Sequence, residues 1–236
     1  MSDPELSRIA GRLAIIRERI EKACLRAGRD PAEVTLIGVS KRQPVERIQA
    51  AVEAGLTCLG ESYVQEAASK IPLFEGGLDW QFIGSLQSNK AASAVNSFNT
   101  IHSVDRLKIA KALNRQAEIQ GRRIRCFIQV LLGNESSKHG FQPDGLVANL
   151  EPLTRLEHLD FVGLMTIPRP GDQDEARAFF QQLRRCRDEL QKDAAWQSFP
   201  GWLSMGMSRD FEVAIEEGAT HVRVGTAIFG PRPVTS

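Results

Sequence analysis

The chain has 236 residues, 42% of them hydrophobic and 25% charged, with a formal net charge of +1. That balance excludes the basic excess of a nucleic-acid binder and the composition of a disordered chain, and the acidic opening "MSDPEL" lacks the basic-then-apolar pattern of a secretory leader. No apolar run approaches spanning length, so a cytoplasmic protein with no membrane partner is expected.

Residues 5–27 carry Leu6, Ile9, Leu13, Ile16, Ile20 and Cys24 at alternating spacings of three and four, which predicts an amphipathic helix closed by Gly28. Short apolar runs then alternate with helical patterns. "VTLIGVS" precedes one over 44–55, "LTCLG" one over 62–71, "LDWQFIG" one over 87–95 and "NTIHS" one over 105–118. "RCFIQVLL" precedes 144–153, "LDFVGLM" precedes 174–190, "WLSMGM" precedes 209–218, and "THVRVG" is the eighth strand. Near-continuous Val, Ile and Leu in these strands predicts parallel pairing with both faces covered. Eight even units predict one domain over 1–236, an α/β chain folded as a single (β/α)8 TIM-type barrel with an extra N-terminal helix. A doubly wound open sheet is the competing arrangement. "RPGDQD" and "GFQPDG" read as loops inside the array.

Several classes of chemistry lack a signal. Cys24, Cys58, Cys126 and Cys186 are far apart and form no CxxC pair, so they read as small buried thiols. His102, His158 and His221 have no paired metal-ligand spacing, and neither a Walker motif nor GxGxxG occurs. No metal or nucleotide is expected.

In such a barrel the sites lie at the C-terminal ends of the strands, often with phosphate held after strands seven and eight. Lys41 closes strand one. It reads either as a strand-end lysine that snorkels to solvent or as an amine whose charged form is disfavoured at an apolar mouth by lost hydration and by Arg42, ready to attack a carbonyl carbon. "LSMGMSRD" brings Ser204, Gly206 and Ser208 to a turn before a helix, a place suited to an anion; alternatively Ser208 is only an N-cap, with Asp210 in the first turn. In "VRVGTAIFG", Gly225 permits close backbone approach and Thr226 adds a hydroxyl, completing a candidate phosphate cup. Arg223 projects into the barrel if Val222 and Val224 pack on helices, either toward a ligand or into a salt bridge.

A strand-end amine, an interior arginine and a phosphate cup suit an aldehyde-bearing aromatic phosphate. Seven segments in order, "GVSKRQP", "GESYVQEA", "WQFIGSLQSNK", "ESSKHGF", "GLMTIP", "LSMGMSRDFEVAIEEG" and "VRVGTAIFG", cover most of the chain from residue 5 to 232. On these the sequence resembles the pyridoxal phosphate homeostasis proteins, which look like the barrel domain of alanine racemase standing alone. The resemblance implies that Lys41 forms a Schiff base with pyridoxal 5'-phosphate and that Arg223 lies near the pyridine nitrogen. Ser204, Ser208, Gly225 and Thr226 would hold the phosphate. It implies a role in vitamin B6 homeostasis, with no catalytic residue assigned and PLP-dependent apoenzymes as candidate partners. Two positions depart from the family pattern, Ser62 for asparagine and Ser85 for histidine. Ser62 still reads as a helix cap, with Gln65 completing a capping box. Met165 reads as ligand packing or core filler, and Lys138 and His139 as a polar wall or a surface loop.

Two other functions stay open: a weakly active racemase of the alanine racemase type and a Schiff-base aldolase acting on a sugar phosphate. Two-base racemisation needs a second proton acceptor, which the resembling racemases draw from a tyrosine on an additional domain. This chain has one tyrosine, Tyr63, and ends soon after strand eight, so a monomer without that domain is expected. An aldolase would leave Arg223 without a purpose.

Overall fold

Eight parallel strands close into a barrel in the order in which they occur in the chain. The structure is a computed structural model that describes residues 4–133, 139–168 and 171–232. The strands are β1 (Thr35–Val39), β2 (Cys58–Glu61), β3 (Asp79–Phe82), β4 (Thr100–Val104), β5 (Ile124–Gln129), β6 (Leu159–Met165), β7 (Trp202–Met207) and β8 (His221–Val224). β8 pairs with β1, setting Ile37 against Arg223 and Gly38 against Val224, so the sheet has no open edge. The barrel, and not the open sheet, is the arrangement adopted.

The helices are α1 (Pro4–Arg26), α2 (Val45–Glu53), α3 (Val64–Lys70), α4 (Ala91–Ser97), α5 (Leu107–Ile119), α6 (Leu146–Leu150), α7 (Gln173–Leu190), α8 (Phe211–Glu216) and α9 (Thr226–Phe229). The apolar stripe of α1 is buried from Ile9 to Cys24 against α2, α8 and α9. Arg17 ties α1 to the carbonyls of Ala54 and Gly55, and Arg19 and Arg26 pair with Glu212 and Glu216 of α8. This extra helix thus covers the barrel wall where its first and last units meet.

Side-chain alternation separates two interiors. Val222 and Val224 join the apolar layer between strands and helices, while Arg223 turns inward and reaches Ser204 and Thr166. Phe127 also faces inward, stacked on the His102 ring at 4.3 Å and packed with Val162 and Met165. Met165, 1% exposed, is therefore core filler.

Local differences from the sequence expectation have simple causes. The pattern at 87–95 resolves into a 3-10 turn, Ser88–Lys90, followed by α4. The pattern at 144–153 is split because α6 gives way to a 3-10 turn, Glu151–Arg155, whose second residue is a proline with no N–H to extend the α-helical ladder. α9 was not expected, being a single turn too short to show periodicity. Cys24, Cys58 and Cys126 are buried, but Cys186, on the flank of α7, is only half-buried.

Gly206 shapes the end of β7. It lies at φ +91°, and a Cβ there would stand 2.6 Å from that of Ala214. Gly206→Ala is expected to cost about 1–3 kcal/mol through backbone strain and crowding against α8, measured as a lowered urea midpoint at unchanged m-value.

Candidate functional site

Because all eight strands are parallel, the residues that follow them share one rim. Lys41 follows β1, Ser62 follows β2, Ser85 lies beyond β3, Ser208 follows β7, and Gly225 and Thr226 follow β8. The β1–β8 pairing sets the ends of these two strands side by side, so Lys41 and Thr226 follow adjacent strands at the rim. A Cβ on Gly225 would approach that of Val39 to 3.3 Å, so the glycine lets the chain after β8 lie close against the end of β1.

Lys41 is half-buried. Burial lowers the pKa of its amine, and the Arg232 and Arg42 guanidiniums add to the effect, opposed by Glu61 and Glu66. The neutral, nucleophilic form is favoured relative to a solvated lysine. Arg42 itself is exposed, adopts a left-handed conformation (φ 56°) and stacks on Tyr63.

Below the rim, Arg223 is 5% exposed and lies inside the barrel. Its guanidinium donates to Ser204 Oγ at 2.6 Å and to the Thr166 carbonyl at 2.9 Å. Both partners are neutral, and among the described residues no carboxylate forms an ion pair with it; the alternative of a salt bridge across the barrel is not realised. Burial pulls its pKa down to about 10, with Asp210 partly offsetting the loss, so it stays cationic at neutral pH.

The Arg223 contact continues as a chain of hydrogen bonds through the barrel. Gln81 donates its amide to Asp79 Oδ2 at 2.7 Å, which turns its carbonyl oxygen toward His102 Nε2 at 2.6 Å. His102 Nε2 therefore carries the proton, and its bare Nδ1 accepts from Ser204 Oγ at 2.8 Å. The serine oxygen is in turn free to accept from Arg223. Burial, with His221 and Arg223 nearby, holds the His102 pKa well below its ordinary value, and burial holds His221 at about 3. Both imidazoles are neutral.

Of the sequence-derived site residues, Lys41, Ser208, Gly225 and Thr226 share the rim at the C-terminal ends of their strands, and Arg223 lies inside the barrel. Ser204 does not share that rim: it is fully buried, and its hydroxyl is committed to His102 and Arg223. Ser208 lines a cleft with Pro168, Met207, Arg209 and Asp210. It is not the N-cap of α8; that position belongs to Asp210, whose carboxylate instead accepts from the Met207 N–H at 2.5 Å. Ser62 does not cap α3 either. The N-cap is Tyr63 without a side-chain bond, because the Ser62 backbone packs directly on Gly84, where a Cβ would come within 2.1 Å of the Ser62 oxygen. Ser85 is exposed beside a cleft that also contains Gln129, His139 and Thr166. Lys138 lies outside the described residues.

Sequence reasoning missed four residues: Gln81, His102, Glu61 and Lys70. The first two had a signal, since strand alternation sets each on the face opposite apolar neighbours that pack on the helices, Trp80 and Phe82 around Gln81 and Ile101 before His102. Glu61, at the end of "LTCLGE", had a different signal, a carboxylate closing an apolar run on its helix-facing side; Lys70 had none.

A closed barrel with a rim lysine after its first strand and an interior arginine on its last is a fold of the alanine racemase N-terminal type, and the profile of "Alanine racemase, N-terminal domain" matches residues 12–233. A pyridoxal phosphate homeostasis protein from Pseudomonas aeruginosa is 43% identical over 229 residues, covering 96% of this chain and 97% of its own. The protein of that name from Escherichia coli is 40% identical over 231 residues, covering 95% and 97%. This chain belongs to the family of pyridoxal phosphate homeostasis proteins. PipY of Synechococcus elongatus, solved with PLP bound, superposes with a TM-score of 0.83 at 40% identity, covering 94% of this chain and 100% of that one. A Clostridium difficile alanine racemase shares the fold at 18% identity and a TM-score of 0.72, covering 96% of this chain and 56% of its own. Among the described residues, no helix is long and apolar enough to cross a membrane, and no cluster of His, Cys, Asp or Glu could hold a metal ion.

The neutral histidines make acid sensitivity measurable. Unfolding exposes them to protonation near 6.5, so the stability they contribute is complete above that pH and declines as pH falls, for His221 down to about 3. In urea titrations between pH 4.5 and 7, each imidazole should add a slope of up to about 1.4 kcal/mol per pH unit, and His221→Gln should lose its share.

Proposed function

We propose that this chain holds pyridoxal 5'-phosphate as a Schiff base on Lys41 and serves intracellular vitamin B6 homeostasis as a binding protein, not as a robust catalyst. The observation that carries this reading is the pairing of a half-buried rim amine, its charged form disfavoured, with a buried guanidinium bonded only to neutral oxygens. When bound, the cofactor supplies an aldehyde that condenses with a primary amine with loss of one water, an aromatic ring and a phosphate. The residues present fit each part. Lys41 provides the amine. Arg223, with N–H groups beyond the two spent on Ser204 and Thr166, donates to the ring nitrogen. Its permanent charge keeps a proton off that nitrogen, which weakens the electron withdrawal that amino-acid chemistry needs. Gly225, Thr226 and Ser208 hold the phosphate with backbone N–H groups and hydroxyls, while Ser204 orients Arg223.

PLP bound to PipY, at 40% identity over nearly the whole chain, supports the reading, as does the name of the bacterial relatives. Against a racemase, the one tyrosine, Tyr63, is exposed and stacked by Arg42.

Protein mixed with PLP should turn yellow, and borohydride should fix the cofactor on Lys41, located by peptide mass spectrometry. Lys41→Ala should abolish the adduct and weaken residual binding by about tenfold or more, equivalent to ~1.4 kcal/mol. A protein that takes up no cofactor would refute the proposal, and vigorous turnover of any amino acid in a panel would refute its non-catalytic part.

A further inference from the structure

Behind Lys41, on the helix side of the strands, lies a cluster of charges that the cofactor site does not use. Lys70, the last residue of α3, donates to the Ser40 carbonyl at 2.8 Å, to Glu61 Oε1 at 2.8 Å and to Glu66 Oε1 at 2.6 Å. Ser40 Oγ donates to the same Glu61 oxygen at 2.8 Å, and the Arg42 N–H donates to Glu66 Oε1 at 2.5 Å. Lys41 is therefore bracketed. The residue before it gives its carbonyl to Lys70, the residue after it gives its N–H to Glu66, and Lys70 and Glu66 are bonded to each other.

Such a cluster is costly. Glu61 is fully buried with Oε2 lacking a partner, and Lys70 is 6% exposed. Apolar side chains would fill this volume without desolvating three charges. They could not hold a peptide carbonyl on one side of Lys41 and a peptide N–H on the other. The N–H bond also helps hold Arg42 in its left-handed conformation, which an L-residue otherwise disfavours.

We propose that Lys70, Glu61 and Glu66 are positioning residues for Lys41: they fix the β1–α2 turn so that the amine enters the barrel mouth, and their net negative charge balances the cations around it. The charges that act on Lys41 come from four directions: Arg42 beside it, Arg232 after α9, Glu61 of β2 and Glu66 of α3. Lys70 tempers the last two. The two arginines lower the Lys41 pKa and the two glutamates raise it, so the cluster moderates the lowering that burial and the arginines produce.

This inference rests on the reading that Lys41 takes up an aldehyde, and the test separates the two. Each variant is labelled on Lys41 with formaldehyde and cyanoborohydride across a pH series, read by peptide mass spectrometry, and in parallel with PLP and borohydride. Glu66→Gln keeps an acceptor for Arg42 but removes a negative charge, so the pH midpoint of Lys41 labelling should fall by roughly 0.5–1 unit with its rate at high pH unchanged. Glu66→Ala removes the acceptor as well, and the doubly substituted Glu61→Gln/Lys70→Met removes the carbonyl anchor at constant net charge. Both should slow PLP uptake on Lys41 about tenfold or more, even at pH values where the amine is neutral. Wild-type rates in both, together with an unmoved midpoint in Glu66→Gln, would overturn the proposal. If the double variant does not fold, the two Glu66 variants, at a partly exposed position, decide the question. If wild-type Lys41 reacts with formaldehyde but not with PLP, the cofactor reading falls, and the formaldehyde rates and midpoints still decide the role of the cluster.

Discussion

A guanidinium keeps its proton at any ordinary pH, so burying Arg223 inside the barrel dictates the chemistry of everything around it. It needs acceptors, and β7 and the end of β6 provide them as the Ser204 hydroxyl and the Thr166 carbonyl. Ser204 accepts from Arg223 while its own proton goes to His102, and His102 can receive that proton only in one tautomer, which Gln81 enforces. Gln81 is oriented in turn by Asp79 at the opposite end of the barrel. One charge thus orders a column of side chains from four strands, and none of them can be exchanged for an apolar residue without leaving a buried group unpaired.

The rim obeys a different logic. There several charges lie close together, from exposed Arg42 to fully buried Glu61, and their balance adjusts an amine whose charge burial already disfavours. Arg42 and Arg232 push one way, Glu61 and Glu66 the other. Interior and rim are complementary: the interior presents a fixed positive charge to the floor of the proposed cofactor site, and the rim presents an amine whose charge is adjustable. Phosphate-binding groups on the last two loops complete the proposed arrangement without a metal or a second base.

Much of this was legible in the sequence because barrels repeat. Apolar runs such as "VTLIGVS" and "LDFVGLM" each mark a strand, and the 3.6-residue periodicity between them marks the helices. Lys41 and Arg223 could be placed because strand alternation is a local rule. What could not be read were contacts that depend on the register of distant strands. Ser204 looked like a phosphate ligand because it precedes a turn, yet β7 and β8 are aligned so that its hydroxyl meets Arg223. Ser62 looked like a helix cap, yet Gly84, more than twenty residues away, draws its backbone into a close contact. Lys70, which ties down the turn that carries Lys41, reads in isolation as one more basic residue ending a helix.

The pairing of β1 with β8 has a consequence in time as well as in space. Lys41 is made early and Arg223 nearly two hundred residues later, and only closure of the barrel brings them together. A nascent or partly folded chain carries Lys41 as an ordinary solvated lysine, because the burial that disfavours its charge and the Arg223 beneath it both arrive with the closed sheet. On the proposed reading, capture of an aldehyde is thereby deferred until the sheet has closed.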